Sequence, residues 1–232
     1  MTERSEARPE RPERPERPGA QAWVPDHPTY ETLAGAVQSC RGCELYLDAT
    51  QAVMGQGPVD ARLVLLGEQP GEREDVEGKP FVGPAGNLLV KALADAGLDP
   101  TQVYRTNAVK HFRWSGTRGK QRIHKNPSQV HIAACGPWMV AELDIVRPEG
   151  LVLLGATAGK AVYGASFRVG EARGRLADFP PELPGHHQPA HAPTWVLATA
   201  HPAAVLRSRE RDADYELLVA DLKVAAQALD HR

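Results

Sequence analysis

Four short apolar runs stand out along the chain, and none alternates strictly with polar residues. They are Arg62-Leu63-Val64-Leu65-Leu66-Gly67, Val103-Tyr104-Arg105-Thr106-Asn107, Leu151-Val152-Leu153-Leu154-Gly155 and Trp195-Val196-Leu197-Ala198-Thr199. Such runs suit strands buried on both faces of a parallel sheet. Helical patterns lie between them. Leu88, Leu89, Ala92, Leu93 and Ala96 form a stripe behind Pro84, which suits a first helical position, and Gly97 ends it. Asn126-Pro127-Ser128-Gln129 opens another helix, with Asn126 as cap and Gln129 placed to reach back. Ala156 to about Tyr163 and Asp212 to about Leu229 make two more. Strands alternating with helices predict an α/β domain, a parallel sheet covered on both faces. Ligands of such sheets bind beyond the carboxyl ends of the strands. Here those ends are Gly67-Glu68-Gln69, Asn107, Gly155 and His201.

Residues 1 to about 25 read differently. From Arg8 to Pro18 an Arg-Pro-Glu unit repeats, with no apolar residue to face a core. Proline at every third place disfavours helix and removes backbone donors. The pattern predicts a disordered, charge-balanced tail, with the domain over residues 26–232. The net charge is only −2, which excludes a histone-like polycation but leaves room for a local basic groove. No apolar run approaches the roughly 18 residues of a membrane span. The N-terminus lacks the apolar stretch of a secretory signal. Three cysteines make an odd count, which argues against a disulfide framework and for a reducing, cytoplasmic setting. Nothing in the pattern demands more than a monomer.

Cys40-Arg41-Gly42-Cys43 is a C-x-x-C pair. By itself it is a redox pair, half of a metal site, or two unconnected thiols. No strand precedes it and no redox-type helix follows, which disfavours the thioredoxin-like reading. Cys135 lies far away, on the helix expected after Asn126, and a four-coordinate metal or cluster needs one further ligand. His111 is a candidate because it follows the second strand. The plainer alternative makes Cys135 a small buried hydrophobe and His111 a hydrogen-bonded loop residue. These ligands alone do not separate zinc from an iron–sulfur cluster.

The segment from Gly67-Glu68-Gln69-Pro70-Gly71 through Gly78-Lys79-Pro80-Phe81-Val82-Gly83-Pro84-Ala85-Gly86 is highly specific. It resembles the first motif of the iron–sulfur uracil-DNA glycosylases, close to family 4. Thr106-Asn107-Ala108-Val109-Lys110 resembles their second strand motif and His201-Pro202 their last, so the likeness runs from about Cys40 to Leu229. Ordinary members carry alanine where Gln69 stands and lack the loop Lys120-Gln121-Arg122-Ile123-His124-Lys125-Asn126-Pro127-Ser128. Both features resemble the UdgX subfamily, which becomes covalently joined to its DNA. Relatives often continue His-Pro with serine, whereas this chain has Ala203 and Ala204, leaving backbone amides as the donors to a phosphate there.

The resemblance implies the uracil-DNA glycosylase fold, a three-layer α/β/α sandwich with a four-stranded parallel central sheet. It implies a structural [4Fe–4S] cluster held by Cys40, Cys43, His111 and Cys135. The implied substrate is uracil-containing DNA, single-stranded by preference. A glycosylase must extrude the base and read its edge. Phe81 is the expected stacking ring, and the Asn107 amide can both donate and accept, matching the N3–H and O4 of uracil. His201 is the expected donor to O2, where charge develops as the glycosidic bond breaks. His124 is the expected nucleophile on the anomeric carbon. Glu68 would orient it or stabilise the sugar cation, and Gln69 would position base, water or sugar. Lys120, Arg122 and Lys125 would track phosphates. Two competing readings remain. One is a conventional turnover glycosylase releasing a free abasic site. The other is a non-catalytic DNA-binding module with a metal.

Overall fold

The computed structural model describes residues 17–230. The chain runs α1 (Tyr30–Val37), a 3-10 turn (Glu44–Leu47), β1 (Leu63–Gly67), α2 (Glu72–Glu77), α3 (Pro84–Asp95), β2 (Val103–Asn107), β3 (Trp114–Arg118) and β4 (Gln121–His124). It continues with α4 (Gln129–Val146), β5 (Gly150–Leu154), α5 (Gly155–Tyr163), α6 (Val169–Ala172), β6 (Leu176–Ala177), β7 (Trp195–Thr199), α7 (Pro202–Arg207) and α8 (Arg211–Asp230).

The apolar runs become β1, β2, β5 and β7, and the sheet order is β2-β1-β5-β7-β6. The first four strands are parallel. Each is buried along its length except at Arg105, and alternate side chains serve opposite faces. Val64, Leu66, Leu151 and Leu153 pack with Leu33 of α1 and with Trp138 and Leu143 of α4. Leu63, Leu65, Val152 and Leu154 pack with Leu89 and Leu93 of α3 and with Leu218 and Leu222 of α8. This is the three-layer sandwich, with one correction. The sheet has five strands, because the two-residue β6 pairs antiparallel with β7 at the edge. Its residues are exposed and too few to leave an apolar run in the sequence.

Three further expectations change. The helix expected to be capped by Asn126 starts at Gln129 and is capped by Ser128. Pro127 disfavours helical backbone at the residue before it, which places Asn126 outside. The stretch expected as a loop before that helix contains the antiparallel pair β3–β4, with Trp114 opposite His124. The domain also begins before residue 26. Ala20 is fully buried and donates its N–H to Ala134 O at 2.8 Å. Gly19 N–H donates to Gly42 O at 3.0 Å, and Arg17 grips Glu44. Most of the Arg-Pro-Glu repeat, within residues 1–16, lies outside the described residues. Among the described residues no helix is long and apolar enough to cross a membrane.

Candidate active site

Parallel registry places the ends of β1 and β2 together, Gly67 beside Asn107. Any side chain at Gly67 would collide with the Asn107 amide oxygen and the Phe81 ring, so this glycine admits both groups to one spot. Asn107 is nearly fully buried. Its backbone carbonyl accepts from Lys110 Nζ at 2.9 Å, while among the described residues no hydrogen-bond partner is seen for its side-chain amide. The residue lines the cleft at the carboxyl edge of the sheet and its amide atoms are not among the sealed, unpartnered ones, so the amide is open to pair with a ligand edge there. Phe81 adopts left-handed backbone at φ +57°. For a bulky residue that costs about 1–3 kcal/mol and persists only where its surroundings enforce it.

His201 follows β7 and caps α7. Its Nδ1 accepts the Ala203 N–H at 3.1 Å, so the proton of the neutral ring sits on Nε2. Burial pushes its pKa down to about 4, and the charges of Arg207 and His124 act in the same direction. His201 is therefore a neutral donor at pH 7. Gly155, at φ +87°, starts α5 against the His201 Cβ and leaves room for it. The Ala203 and Ala204 amides, expected to be free for a phosphate, are occupied. They donate to His201 Nδ1 and to His201 O at 2.8 Å.

His124 ends β4 and is about half exposed. Its position is set by Gln69. The Gln69 carbonyl accepts from Arg113 N–H at 3.1 Å. Its Nε2 lies 3.1 Å from Arg113 O, 3.2 Å from Lys125 O and 2.8 Å from His124 Nε2. The opposite amide orientation would face oxygen to two carbonyls, so the nitrogen is correctly placed. An amide nitrogen only donates, which makes His124 Nε2 the acceptor and puts the ring proton on Nδ1. Glu68 Oε1 stands 3.5 Å from that Nε2, and Glu68 Oε2 takes a hydrogen bond from the Thr157 hydroxyl. Burial lowers the His124 pKa, Glu68 opposes this, and Arg207 adds to it. The ring is thus neutral, with a lone pair on Nε2.

Glu68, Gln69, Phe81, Asn107, His124 and His201 all line one cleft of about 930 Å³ at the carboxyl edge of the sheet. The expected metal ligands lie apart from it. Cys40, Cys43, Cys135 and His111 are all buried. Cys40 Sγ receives the Trp138 Nε1–H at 3.3 Å and the Gly42 N–H at 3.4 Å. Cys135 Sγ receives the Lys110 N–H at 3.3 Å. Burial pushes the Cys43 thiol up to about 11 and raises that of Cys135, with the neighbouring cysteines adding to both. Burial takes His111 down to about 4. Among the described residues, no three His, Cys, Asp or Glu side chains converge on a single metal ion.

Arg122 sits differently from its expected phosphate role. Its NH1 pairs with the buried Asp75 at 2.7 Å, and its guanidinium lies over the Phe112 and Trp114 rings. It also reaches Glu72 of α2. It therefore straps the hairpin to α2, while Lys120 and Lys125 are exposed. Sequence reasoning assigned no role to Thr157, Arg207 or the Lys110–Glu142 pair. Lys110 and Glu142 are almost fully buried, and Glu142 also accepts from Tyr104 and Thr106. That network fixes the Asn107 carbonyl from below. Its signal was a lysine in the mostly apolar stretch after β2 and a glutamate inside the mostly apolar α4.

The model of the uracil DNA glycosylase superfamily matches residues 54–223, a span that holds the whole cleft. The chain belongs to the uracil-DNA glycosylase superfamily. It is 35% identical to a type-4 uracil-DNA glycosylase of Thermotoga maritima over 78% of this chain and 85% of that protein. It is 32% identical to one of Archaeoglobus fulgidus, over 78% of this chain and 84% of the other. One from Saccharolobus solfataricus is 30% identical, with 76% of each covered. Within this superfamily fold, Cys40 and Cys43 lie ahead of the matched span, and His111 and Cys135 inside it.

Proposed function

We propose that the chain is a uracil-DNA glycosylase that acts on single-stranded DNA by preference and joins itself to the product through His124, as the UdgX subfamily does. The observation that carries this reading is the neutral His124 lone pair in the same cleft as Asn107, Phe81 and His201. A flipped uracil stacks on Phe81 and presents N3–H and O4 to the free Asn107 amide. His201 Nε2–H meets O2. As the bond from C1′ to N1 breaks, its electron pair moves onto the uracil, and a preorganised donor at O2 stabilises that anion. Positive charge left on the sugar faces Glu68. His124 Nε2 then gives its lone pair to C1′ and becomes an alkylated imidazolium with its proton on Nδ1. Gln69 holds the tautomer with the proton on Nδ1, and its hydrogen bond to Nε2 is given up as that lone pair turns to C1′. Lys120 and Lys125 at the hairpin meet the phosphates.

A [4Fe–4S] cluster on Cys40, Cys43, Cys135 and His111 belongs to the same proposal. The donor set fits it. Burial and the neighbouring cysteines raise the Cys43 and Cys135 thiols, which are better accommodated as thiolates on a metal. Backbone and indole N–H groups already point at two of the sulfurs, and His111 is held neutral, as a ligand must be. A single zinc ion would need all its ligands within about 2.3 Å of one centre. A cluster gives each ligand its own iron. When bound it would tie the Cys40–Cys43 segment to α4 and to the turn after β2, and it would supply no group to the reaction.

The test is a denaturing gel of the protein with a single-stranded oligonucleotide carrying one uracil, beside a thymine control. The expected result is a uracil-dependent band that survives heat and detergent. Free, alkali-cleavable abasic DNA without that band would establish ordinary turnover instead. Intact uracil DNA would leave the binding-module reading.

A further inference from the structure

We propose that His131 is a positioning residue for His124, acting through the limb of chain that returns from the hairpin into α4. The inference rests on the capture reading above. From His124 the chain runs through Lys125, Asn126 and Pro127 to Ser128, the cap of α4. Near the hairpin this limb is held by Gln69 on Lys125 O and by Arg113 NH1 on Asn126 O at 2.6 Å. Its far end is held by His131. The Ser128 N–H donates to His131 Nδ1 at 3.0 Å, and the Ser128 hydroxyl lies 2.7 Å from the same nitrogen.

A glutamate or glutamine is usual at this third helical position and would satisfy the cap alone. An imidazole adds a second nitrogen on its far side. Because Nδ1 accepts a backbone N–H, the neutral ring carries its proton on Nε2, and Nε2 lies 3.0 Å from Glu44 Oε1. Glu44 is gripped in turn by Arg17, with Nε to Oε2 at 2.7 Å. The histidine end of the tie is buried, His131 being only 1% exposed, while Glu44 is partly exposed. The limb behind the nucleophile is therefore anchored beyond its own helix, into the segment after Cys43 and the N-terminal strap. Capture requires His124 to reach C1′ before water does. Misplacement by about 1 Å can cost on the order of 100-fold in a positioned step. Loosening this tie should send the sugar cation to water, and free abasic DNA should replace the adduct.

The readout is the ratio of cross-linked to free abasic product in a single turnover on single-stranded uracil DNA. Iron content and the melting curve are measured alongside. His131→Gln keeps an acceptor for Ser128 and a donor for Glu44. His131→Glu keeps the acceptor but sets a second carboxylate against Glu44. Glu44→Ala removes the tie from its other end and carries the test if His131→Glu does not fold. The expected ratio for His131→Gln is within about twofold of the parent. For His131→Glu and Glu44→Ala it falls about tenfold, with total uracil release kept within about threefold. An unchanged ratio in folded His131→Glu or Glu44→Ala protein would overturn the inference. So would a parallel loss of capture and release that tracks melting. If the parent protein formed no adduct, the capture reading itself would fail, which is a separate result.

Discussion

His201 and His124 face the same cleft from supports of very different kinds. His201 stands at the end of β7, whose pairing with β5 is in register along its whole length. Its Nδ1 is tied to its own helix, and it is less exposed than His124. His124 ends a two-stranded hairpin whose register breaks between Trp114 and Thr117, and its ring is half exposed. What holds that hairpin is a set of side chains. Gln69 grips its base, Arg122 straps it to Asp75, and Trp114 Nε1–H donates to Asp48 O at 2.9 Å. Rigid strand ends suit the excision step, where donors must be in place before charge develops. A separately anchored hairpin suits the proposed nucleophile, which must reach the same carbon without altering that rim. On the capture reading proposed above, the difference predicts that bond cleavage and capture are separable by mutation.

The largest effect expected is with His124→Ala. Cross-linking should fall to background while uracil release persists, read as alkali-cleavable DNA. A variant that loses both would break the comparison, since it would make the hairpin part of the excision machinery. Next is His201→Ala, which removes the donor at O2. Release should drop by about 100- to 1000-fold, with capture falling in step, in a quenched single-turnover assay. Arg122→Ala comes third. It leaves the Asp75 carboxylate, which is fully buried, with only the Thr50 N–H as a hydrogen-bond partner among the described residues. Breaking such a pair costs about 3 kcal/mol, measurable by denaturant unfolding, and capture should suffer more than release.

Much of this division was legible in the sequence, and unevenly so. The four parallel strands were, because strands buried on both faces leave unbroken apolar runs, and their polar ends then locate the cleft. The Gly67–Gly86 segment and His201-Pro202 named its occupants. The hairpin was not legible as strands. Its residues are mostly exposed on both faces, so no period of two survives from Trp114 to His124. The pairing of Arg122 with Asp75 is tertiary, between residues far apart in the chain, and a run of basic residues reads as a solvated or DNA-facing surface until the partner is known. The start of the domain was hidden for the same reason. Ala20 has no apolar neighbours in the repeat before it, yet it is buried by contacts with Gly42 and Ala134.

The pH dependence sharpens the contrast between the two histidines. In the proposed mechanism both rings act while neutral, and both have folded-state pKa values below the ordinary imidazole value near 6.5. Capture should stay on its plateau as pH falls from 8 through about 6.5, and then decline as His124 gains a proton and loses its Nε2 lone pair. Release should decline at lower pH, as His201 approaches its value of about 4. The sign for stability is the same. The unfolded rings bind protons first, so the stability present above about 6.5 is lost as pH falls toward 4. Capture already halved at pH 6.5 would place His124 in a more solvated setting than its contacts indicate.

The smallest effect belongs to the charges at the hairpin. Lys120 and Lys125 are exposed, whereas Arg122 is held by α2. Of the three basic residues expected to track phosphates, the two lysines remain exposed to do so. On single-stranded DNA each phosphate contact contributes about 0.7 to the slope of log affinity against log salt concentration. Lys120→Ala and Lys125→Ala should therefore each lower the slope by about 0.7 and weaken binding at low salt, with no change in the rate of release once DNA saturates the protein. Fluorescence anisotropy with a labelled oligonucleotide across a salt series measures the slope directly. A lysine variant that slowed release at saturation would show the hairpin's charges acting on the excised bond rather than on the strand around it, and the hairpin would then no longer be separable from the rim.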